Sequence, residues 1–238
     1  MEPTKRVPRG GDEEANLLVG RQPDNLPDIP ESEIAGQALH QIREAWKTFA
    51  EGYKRNMADP TQTEESRQVN ARRVGDQHLS KATAHSAGVV ERLRQRETDL
   101  EREIESAMQP NAADPLASAR AQDAWRALRE APDTNTAASM IRQAAEADPE
   151  WARLALVGGP AATGIDGKVF ASLRREIASK LAPEPHTHRE KVKEIRELLD
   201  SAGDRALRWH RDAFGGDNEH RRLDEIERKA RAAREYNG

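Results

Sequence analysis

The stretch from Gly159 to Lys168 has the composition of a phosphate-binding loop, in which backbone N–H groups hold the phosphates of a nucleotide. Such a loop follows the pattern GxxxxGK and continues with Ser or Thr, whose hydroxyl binds Mg²⁺. Here Ala162 stands where the first glycine is required, and Val169 stands where the hydroxyl is required. No strand pattern precedes the loop. The sequence therefore predicts no nucleotide and no other cofactor.

Histidines are common metal ligands, and this chain contains seven of them. His186 and His188 lie two positions apart, which does not direct both rings at one ion as a spacing of four on a helix would. His210 and His220 lie elsewhere, and no carboxylate stands at metal-ligand spacing. We therefore predict surface histidines and no metal site.

Other catalytic patterns are also missing from the sequence. No serine lies in a GxSxG turn, and no carboxylate has the apolar surroundings that would raise its pKa for acid–base work. The absence of cysteine excludes a disulfide framework, thiol catalysis and thiolate metal ligands. We therefore predict that the protein is not an enzyme and has no catalytic residue.

The polar segment from Thr61 to Gln109 contains no proline, which predicts that it forms one long helix. From Leu79 to Leu100 its inward positions recur at alternating steps of three and four, with Ser86 and Arg96 as polar interruptions. This is the heptad spacing of a coiled coil. Such a helix spans about 70 Å and buries its apolar stripe only against a partner surface.

The charge of this segment changes sign along its length. The part from Arg67 to Arg96 contains seven basic and two acidic residues. The part from Glu97 to Glu105 contains five acidic residues and one basic residue. One interpretation is a solvated face with offsetting pairs along the helix, and the other is that each half meets opposite charge on a partner. Nucleic acid is one such partner. Its possible contacts are Arg67, Arg72, Arg73, Arg92, Arg94 and Arg96.

Two further segments have heptad spacing. The first begins at Ser32, a predicted helix cap, and runs to about Met57, while the second runs from about Thr187 to Phe214 after Pro183 and Pro185. We expect both faces to pack against other helices, although the aromatic face of the first is also compatible with a ligand or a stacked base. The predicted helix-packing residues are Leu39, Ile42, Trp46, Phe49, Tyr53, Ile195, Leu199 and Trp209.

Residues 1–32 are rich in proline and glycine, which predicts an extended N-terminal arm. Its apolar residues are open to two interpretations, a disordered tail or an arm that docks into grooves of a partner. The predicted partner-binding residues are Leu17, Leu18, Val19, Leu26 and Ile29.

The composition is 34% charged, 36% hydrophobic and 4% aromatic, with almost no strand-like alternation. It predicts an elongated all-α protein in which long heptad-patterned helices surround a small helical subdomain. The expected divisions are the arm at 1–32, a helical hairpin or rod at 33–112, a compact helical subdomain at 113–183, and C-terminal helices at 184–238.

This build resembles that of assembly proteins from bacteriophage-type particles, such as scaffolding, head–tail connecting or minor capsid components. The resemblance implies a non-enzymatic structural protein that works as a homo-oligomer with other structural proteins. The alternative is a DNA-associated helical adaptor of the packaging or nucleoid type. Because the net charge is −4, we expect DNA to be only a secondary partner. It would bind through a local basic face.

The expected location is a virion or the host cytoplasm. The first residues lack the apolar segment of a signal peptide, and no apolar run approaches the roughly 20 residues that cross a bilayer. We therefore predict no secretion through a signal peptide, no transmembrane segment and no membrane partner.

Overall fold

The computed structural model describes residues 7–20 and 25–236, and the regular structure in these ranges is helical with no strand, which confirms the predicted all-α class. Residues 1–6 and 21–24 of the predicted arm lie outside the described ranges. No described helix is both long enough and apolar enough to cross a bilayer. The helices are α1 (Asp12–Val19), α2 (Glu31–Met57), α3 (Glu64–Ala107), α4 (Ala117–Arg129), α5 (Thr134–Ala147), α6 (Pro149–Val157), α7 (Gly159–Thr163), α8 (Gly167–Leu181), α9 (Pro183–Ala213) and α10 (Asp217–Tyr236).

The chain divides into two compact units. Unit 1 comprises residues 1–94 and 192–238, and unit 2 comprises residues 95–191. Two helices, α3 and α9, therefore contribute residues to both units. The boundaries expected after residues 32, 112 and 183 differ from these, because the expected hairpin is divided after Arg94 and the expected arm belongs to unit 1.

The core of unit 1 is aromatic. Trp46 and Phe49 of α2 are fully buried, with their rings edge-on to rings of α9. The ring centroids are 5.5 Å apart for Trp46 and Trp209, and 4.9 Å apart for Phe49 and His210. Edge-to-face contact directs the positive ring edge at the negative face of its neighbour. The buried rings on α2 have no open face on which a base could stack.

The heptad residues of unit 1 are covered within the chain itself. Leu39 and Ile42 of α2 and Ile195 and Leu199 of α9 are fully buried. In α3 the residues Leu79, Val89, Val90 and Leu93 are buried as well. These apolar stripes therefore require no second chain to cover them.

Unit 2 has its own core, formed by residues Met108, Leu128, Ile141, Leu156, Phe170, Leu173 and Ile177. An aspartate caps the start of three of its helices: Asp133 accepts a hydrogen bond from the backbone N–H of Thr136, Asp148 from Trp151, and Asp166 from Lys168. Each cap satisfies a backbone donor that the first helical turn leaves free. The glycine stretch expected as a loop includes the short helix α7.

Two helix starts differ from the sequence prediction. Ser32 is not the cap of α2, because the helix already begins at Glu31 and the Ser32 hydroxyl donates to the carbonyl of Pro27. Pro183 and Pro185 do not precede α9 but lie in its first turn. Proline is tolerated there because backbone N–H groups of the first turn have no helical partner.

The prediction of an extended arm is wrong for residues 12–19, which form α1. Three acidic residues, Asp12, Glu13 and Glu14, occupy its first turn, where the helix dipole favours negative charge. Gly20 ends the helix with a φ of 74°, and its N–H bonds to the carbonyl of Asn16. The prolines flank this helix rather than interrupt it.

Gly75 lies inside α3, where glycine normally costs about 1 kcal/mol relative to alanine. A Cβ atom at this position would lie only 2.2 Å from Nε2 of His210 and 2.9 Å from the Phe49 ring. We expect Gly75→Ala to lower the free energy of unfolding by about 1–3 kcal/mol, because the displaced ring outweighs the gain in helix propensity. Urea unfolding followed by circular dichroism measures this change.

Gly88 provides the matched control, because it lies in the same helix and a Cβ atom there would meet nothing within 4 Å. We expect Gly88→Ala to raise the free energy of unfolding by up to about 1 kcal/mol. Equal effects of the two substitutions would contradict the close packing described at Gly75.

Candidate functional site

A buried arginine organises the polar part of unit 1. The Arg72 side chain of α3 is only 3% exposed, yet it carries a full charge. Its guanidinium contacts Asp224 at 2.6 Å and Glu227 at 2.7 Å, both on α10, and donates to the carbonyl of His220 at 3.0 Å. A planar guanidinium is suited to several such bonds at once. Arg72 therefore connects α3 to α10.

Asp76 follows one helical turn later and connects the arginine to a histidine. Its Oδ2 lies 3.5 Å from Nε of Arg72, and its Oδ1 lies 3.8 Å from Nδ1 of His210. Burial raises the pKa of this carboxyl group, and the positive charge of Arg72 acts in the opposite direction. The side chain is still 46% exposed, so the carboxylate is not enclosed by the protein.

His210 of α9 is 4% exposed and packs against the rings of Phe49 and Phe214. Because Gly75 has no side chain, the His210 ring fits against α3. Nε2 of His210 is buried without a hydrogen-bond partner. Burial lowers the pKa of His210 to about 4, and the nearby His220 acts in the same direction. The ring is therefore neutral at pH 7.

His220 completes the arrangement from the first turns of α10. Its ring centroid lies 5.5 Å from that of His210, and its Nδ1 is buried without a hydrogen-bond partner. Burial lowers the pKa of His220, and Arg72 lowers it further. One ligand atom each from Asp76, His210 and His220 lies within 4.8 Å of the others. We call these three residues the histidine cluster.

The prediction of surface histidines is wrong for His210, which is buried, and for His220, which is half-buried. Sequence spacing could not reveal the cluster, since Asp76 is more than 130 positions away from both histidines. A local signal was the pair of small residues Ala71 and Gly75, which lie four positions apart on α3. No protein-family model, curated protein or solved structure matches this chain.

The residues predicted to bind a partner lie on or near α1. Leu18 and Val19 are fully buried, whereas the neighbouring Leu17 is 63% exposed. Leu26 and Ile29 are half-buried. Leu26 lines a groove of about 360 Å³ together with Gly20, Pro27 and residues of α9. The predicted partner-binding residues of the arm therefore include both buried and exposed side chains.

The six arginines predicted as possible nucleic-acid contacts do not form an open basic face. Besides Arg72, three have acidic neighbours and two donate to backbone carbonyls. Arg73 pairs with Glu227, Arg94 with Glu91 and Asp200, and Arg96 with Glu103, while Arg67 bonds to Met57 and Arg92 to Gly88. These pairs offset much of the positive charge that a DNA-binding surface requires. The DNA-associated alternative stays an untested prediction.

Acidification should destabilise the protein through His210. The unfolded histidine, with a pKa near 6.5, takes up its proton before the folded one, whose pKa is about 4. His210 therefore makes its full contribution to the free energy of unfolding above pH 6.5. As the pH falls toward 4, the free energy of unfolding decreases by up to about 3 kcal/mol. Urea unfolding at several pH values between 4.5 and 7.5 measures this loss.

His220 and Asp76 also contribute to the pH dependence of stability, so the contribution of His210 has to be isolated by comparing variants. The lowered pKa of His220 acts in the same direction as that of His210, and the raised pKa of Asp76 acts in the opposite direction. His210→Gln should flatten the pH dependence between pH 5 and 6.5, whereas replacing the exposed His85 in the same way should leave it unchanged. A pH dependence that is identical in the two variants would contradict the burial of His210.

The ion pairs of Arg72 should contribute more to stability than those of its neighbour. We expect Arg72→Met to lower the free energy of unfolding by about 2–3 kcal/mol, because Asp76, Asp224 and Glu227 lose their shared cation. The cost stays below that of a fully enclosed pair because the Asp224 side chain is largely exposed. Arg73→Met should cost less than about 1 kcal/mol, since its side chain is 56% exposed.

Proposed function

We propose that the protein is a non-enzymatic structural or assembly protein that works as an oligomer, and that it is a component of a bacteriophage-type virion with a minor capsid, scaffolding or head–tail connecting role. The supporting observation is that residues 7–20, which we call the N-terminal segment, dock into the chain through the buried residues Pro8, Ala15, Leu18 and Val19. Such a segment can link copies of the protein by exchange.

The apolar part of this docking is small. Leu18 and Val19 are fully buried together with Ala15, and α1 packs against α2. At the end of α1, a side chain on Gly20 would lie 3.6 Å from Leu198 of α9, which places α9 against this end. Burial of a leucine or a valine stabilises by about 1.5–3 kcal/mol each. The segment is thus held firmly, but by few residues.

Polar contacts surround the buried side chains and fix the orientation of the segment. Asp12 contacts Arg43 at 3.0 Å and Lys47 at 2.5 Å, both on α2. The indole N–H of Trp46 donates to Glu14 at 3.2 Å. On the other side, Arg205 of α9 donates to the carbonyl of Leu17 at 2.7 Å. The segment is therefore recognised by specific partners on two helices.

The connection to α2 allows the same contacts to form between copies. Residues 20–30 separate α1 from α2 and include Pro23, Pro27 and Pro30. A proline-rich connection of this length extends to about 30 Å, which is enough to reach a neighbouring molecule. An exchanged segment would contact the same residues of α2 and α9 that it contacts within one chain, so that exchange requires no new surface. Its exposed residue Leu17 would then lie beside the partner.

Chemical cross-linking of isotopically mixed protein tests this proposal. Protein with natural nitrogen and protein labelled with ¹⁵N are unfolded together, refolded, and treated with a carbodiimide that joins contacting carboxylates and amines. We expect the peptide that joins Asp12 to Lys47 to contain both isotopes in about half of the molecules, as random exchange between copies requires. Asp12→Asn should remove this cross-link and serves as its control.

Light scattering of the intact protein provides the second measurement. We expect a mass that is a multiple of 26.6 kDa, and a lower mass for Leu18→Asp, while Leu17→Ser should remain assembled. A monomer in which every Asp12–Lys47 cross-link carries a single isotope would contradict the proposal. A mass that rises only with duplex DNA, and falls in high salt, would support the DNA-associated alternative instead.

A further inference from the structure

We propose that Asp76, His210 and His220 form a binding site for a divalent transition metal ion of the zinc type. Two imidazoles and one carboxylate are a donor set that suits Zn²⁺, Co²⁺ and Ni²⁺ better than Mg²⁺ or Ca²⁺, which prefer oxygen ligands. This inference does not depend on the oligomer proposed above, since all three residues belong to one chain.

The distances within the histidine cluster are close to those that an ion requires. Nδ1 of His210 lies 3.8 Å from Oδ1 of Asp76, and all three ligand atoms lie within 4.8 Å of one another. Tetrahedral zinc has bonds of about 2.0–2.1 Å and therefore places its ligand atoms about 3.3 Å apart. Side-chain rotations that shorten these distances by up to about 1.5 Å would complete the coordination.

The hydrogen-bonding state of His220 provides independent support. Its Nδ1 is buried and has no hydrogen-bond partner, whereas Nε2 of His210 lies against Gly75 and is not the atom close to Asp76. Buried polar atoms are normally paired, so the unpaired Nδ1 of His220 indicates a missing ligand. A metal bound to this atom would satisfy it.

The charges around the histidine cluster favour the binding of a cation. The facing basic groups are Arg72, Arg73 and Arg211, and the facing acidic groups are Asp76, Asp217, Asp224 and Glu227. With both histidines neutral, this set carries one net negative charge. Arg72 contacts Oδ2 of Asp76, so Oδ1 stays available to an ion, while the guanidinium orients the carboxylate.

The cluster is also accessible from solvent. The Asp76 side chain is 46% exposed, whereas His210 lies at the bottom of the arrangement with 4% exposure. An ion can therefore enter on the carboxylate side. Three protein ligands leave a fourth position for water, as in zinc sites that are not closed by the protein. The ion would join α3, α9 and α10.

Titration of the full-length protein without an affinity tag tests this site. After treatment with a chelator, the protein is titrated with Zn²⁺ by calorimetry and with Co²⁺ by absorption spectroscopy. We expect one ion per chain, a visible Co²⁺ spectrum typical of nitrogen and oxygen ligands, and a rise in melting temperature with either ion. Mg²⁺ at the same concentration should produce none of these effects.

Three variants identify the ligands. Asp76→Asn and His220→Gln should each weaken Zn²⁺ binding at least tenfold while the helical circular dichroism is retained, and His210→Gln should do the same if it folds. His85→Gln removes an exposed histidine of α3 and should leave binding unchanged. Absence of Zn²⁺ and Co²⁺ binding to the original protein would overturn the proposal. Equal binding by Asp76→Asn, His220→Gln and the original protein would also overturn it.

Discussion

The packing of unit 1 depends on a positive charge that is removed from water. Arg72 is held at 3% exposure by acidic side chains of α10 and by a backbone carbonyl of the same helix. Removing a charge from water is costly, so this position tolerates the arginine only while those partners remain in place. The guanidinium therefore selects one placement of α10 on α3. The position of His220 relative to Asp76 follows from that placement.

A missing side chain is the second constraint. Gly75 brings α9 so close to α3 that the ring of His210 lies where a Cβ atom would be. The same ring is surrounded by Phe49 and Phe214, so the polar cluster borders directly on the aromatic core. Two imidazoles and a carboxylate are consequently held at the boundary between apolar packing and solvent. At this boundary the half-exposed side chain of Asp76 lies beside the buried ring of His210.

The sequence predicted α2, α3 and α9 well because heptad spacing is a local signal. Each of these helices lies within a few residues of its expected range. The histidine cluster could not be predicted, since its members come from three helices and no spacing along the chain connects Asp76 to His210. The helix of residues 12–19 was missed because the surrounding prolines outweighed the acidic first turn of α1.

The connection between α9 and α10 has a consequence for the dynamics of unit 1. Gly215 and Gly216 adopt φ values of 89° and 87°, and the pair allows the chain to reverse without a longer loop. Beyond this turn, α10 is held by the buried Leu223 and by ion pairs with Arg72 and Arg73. We expect such a helix to open locally, with its amide hydrogens exchanging through a partly unfolded state that salt makes more accessible. In that open state α3 would lose its acidic cover, and the buried Arg72 would become exposed beside the already exposed Arg73.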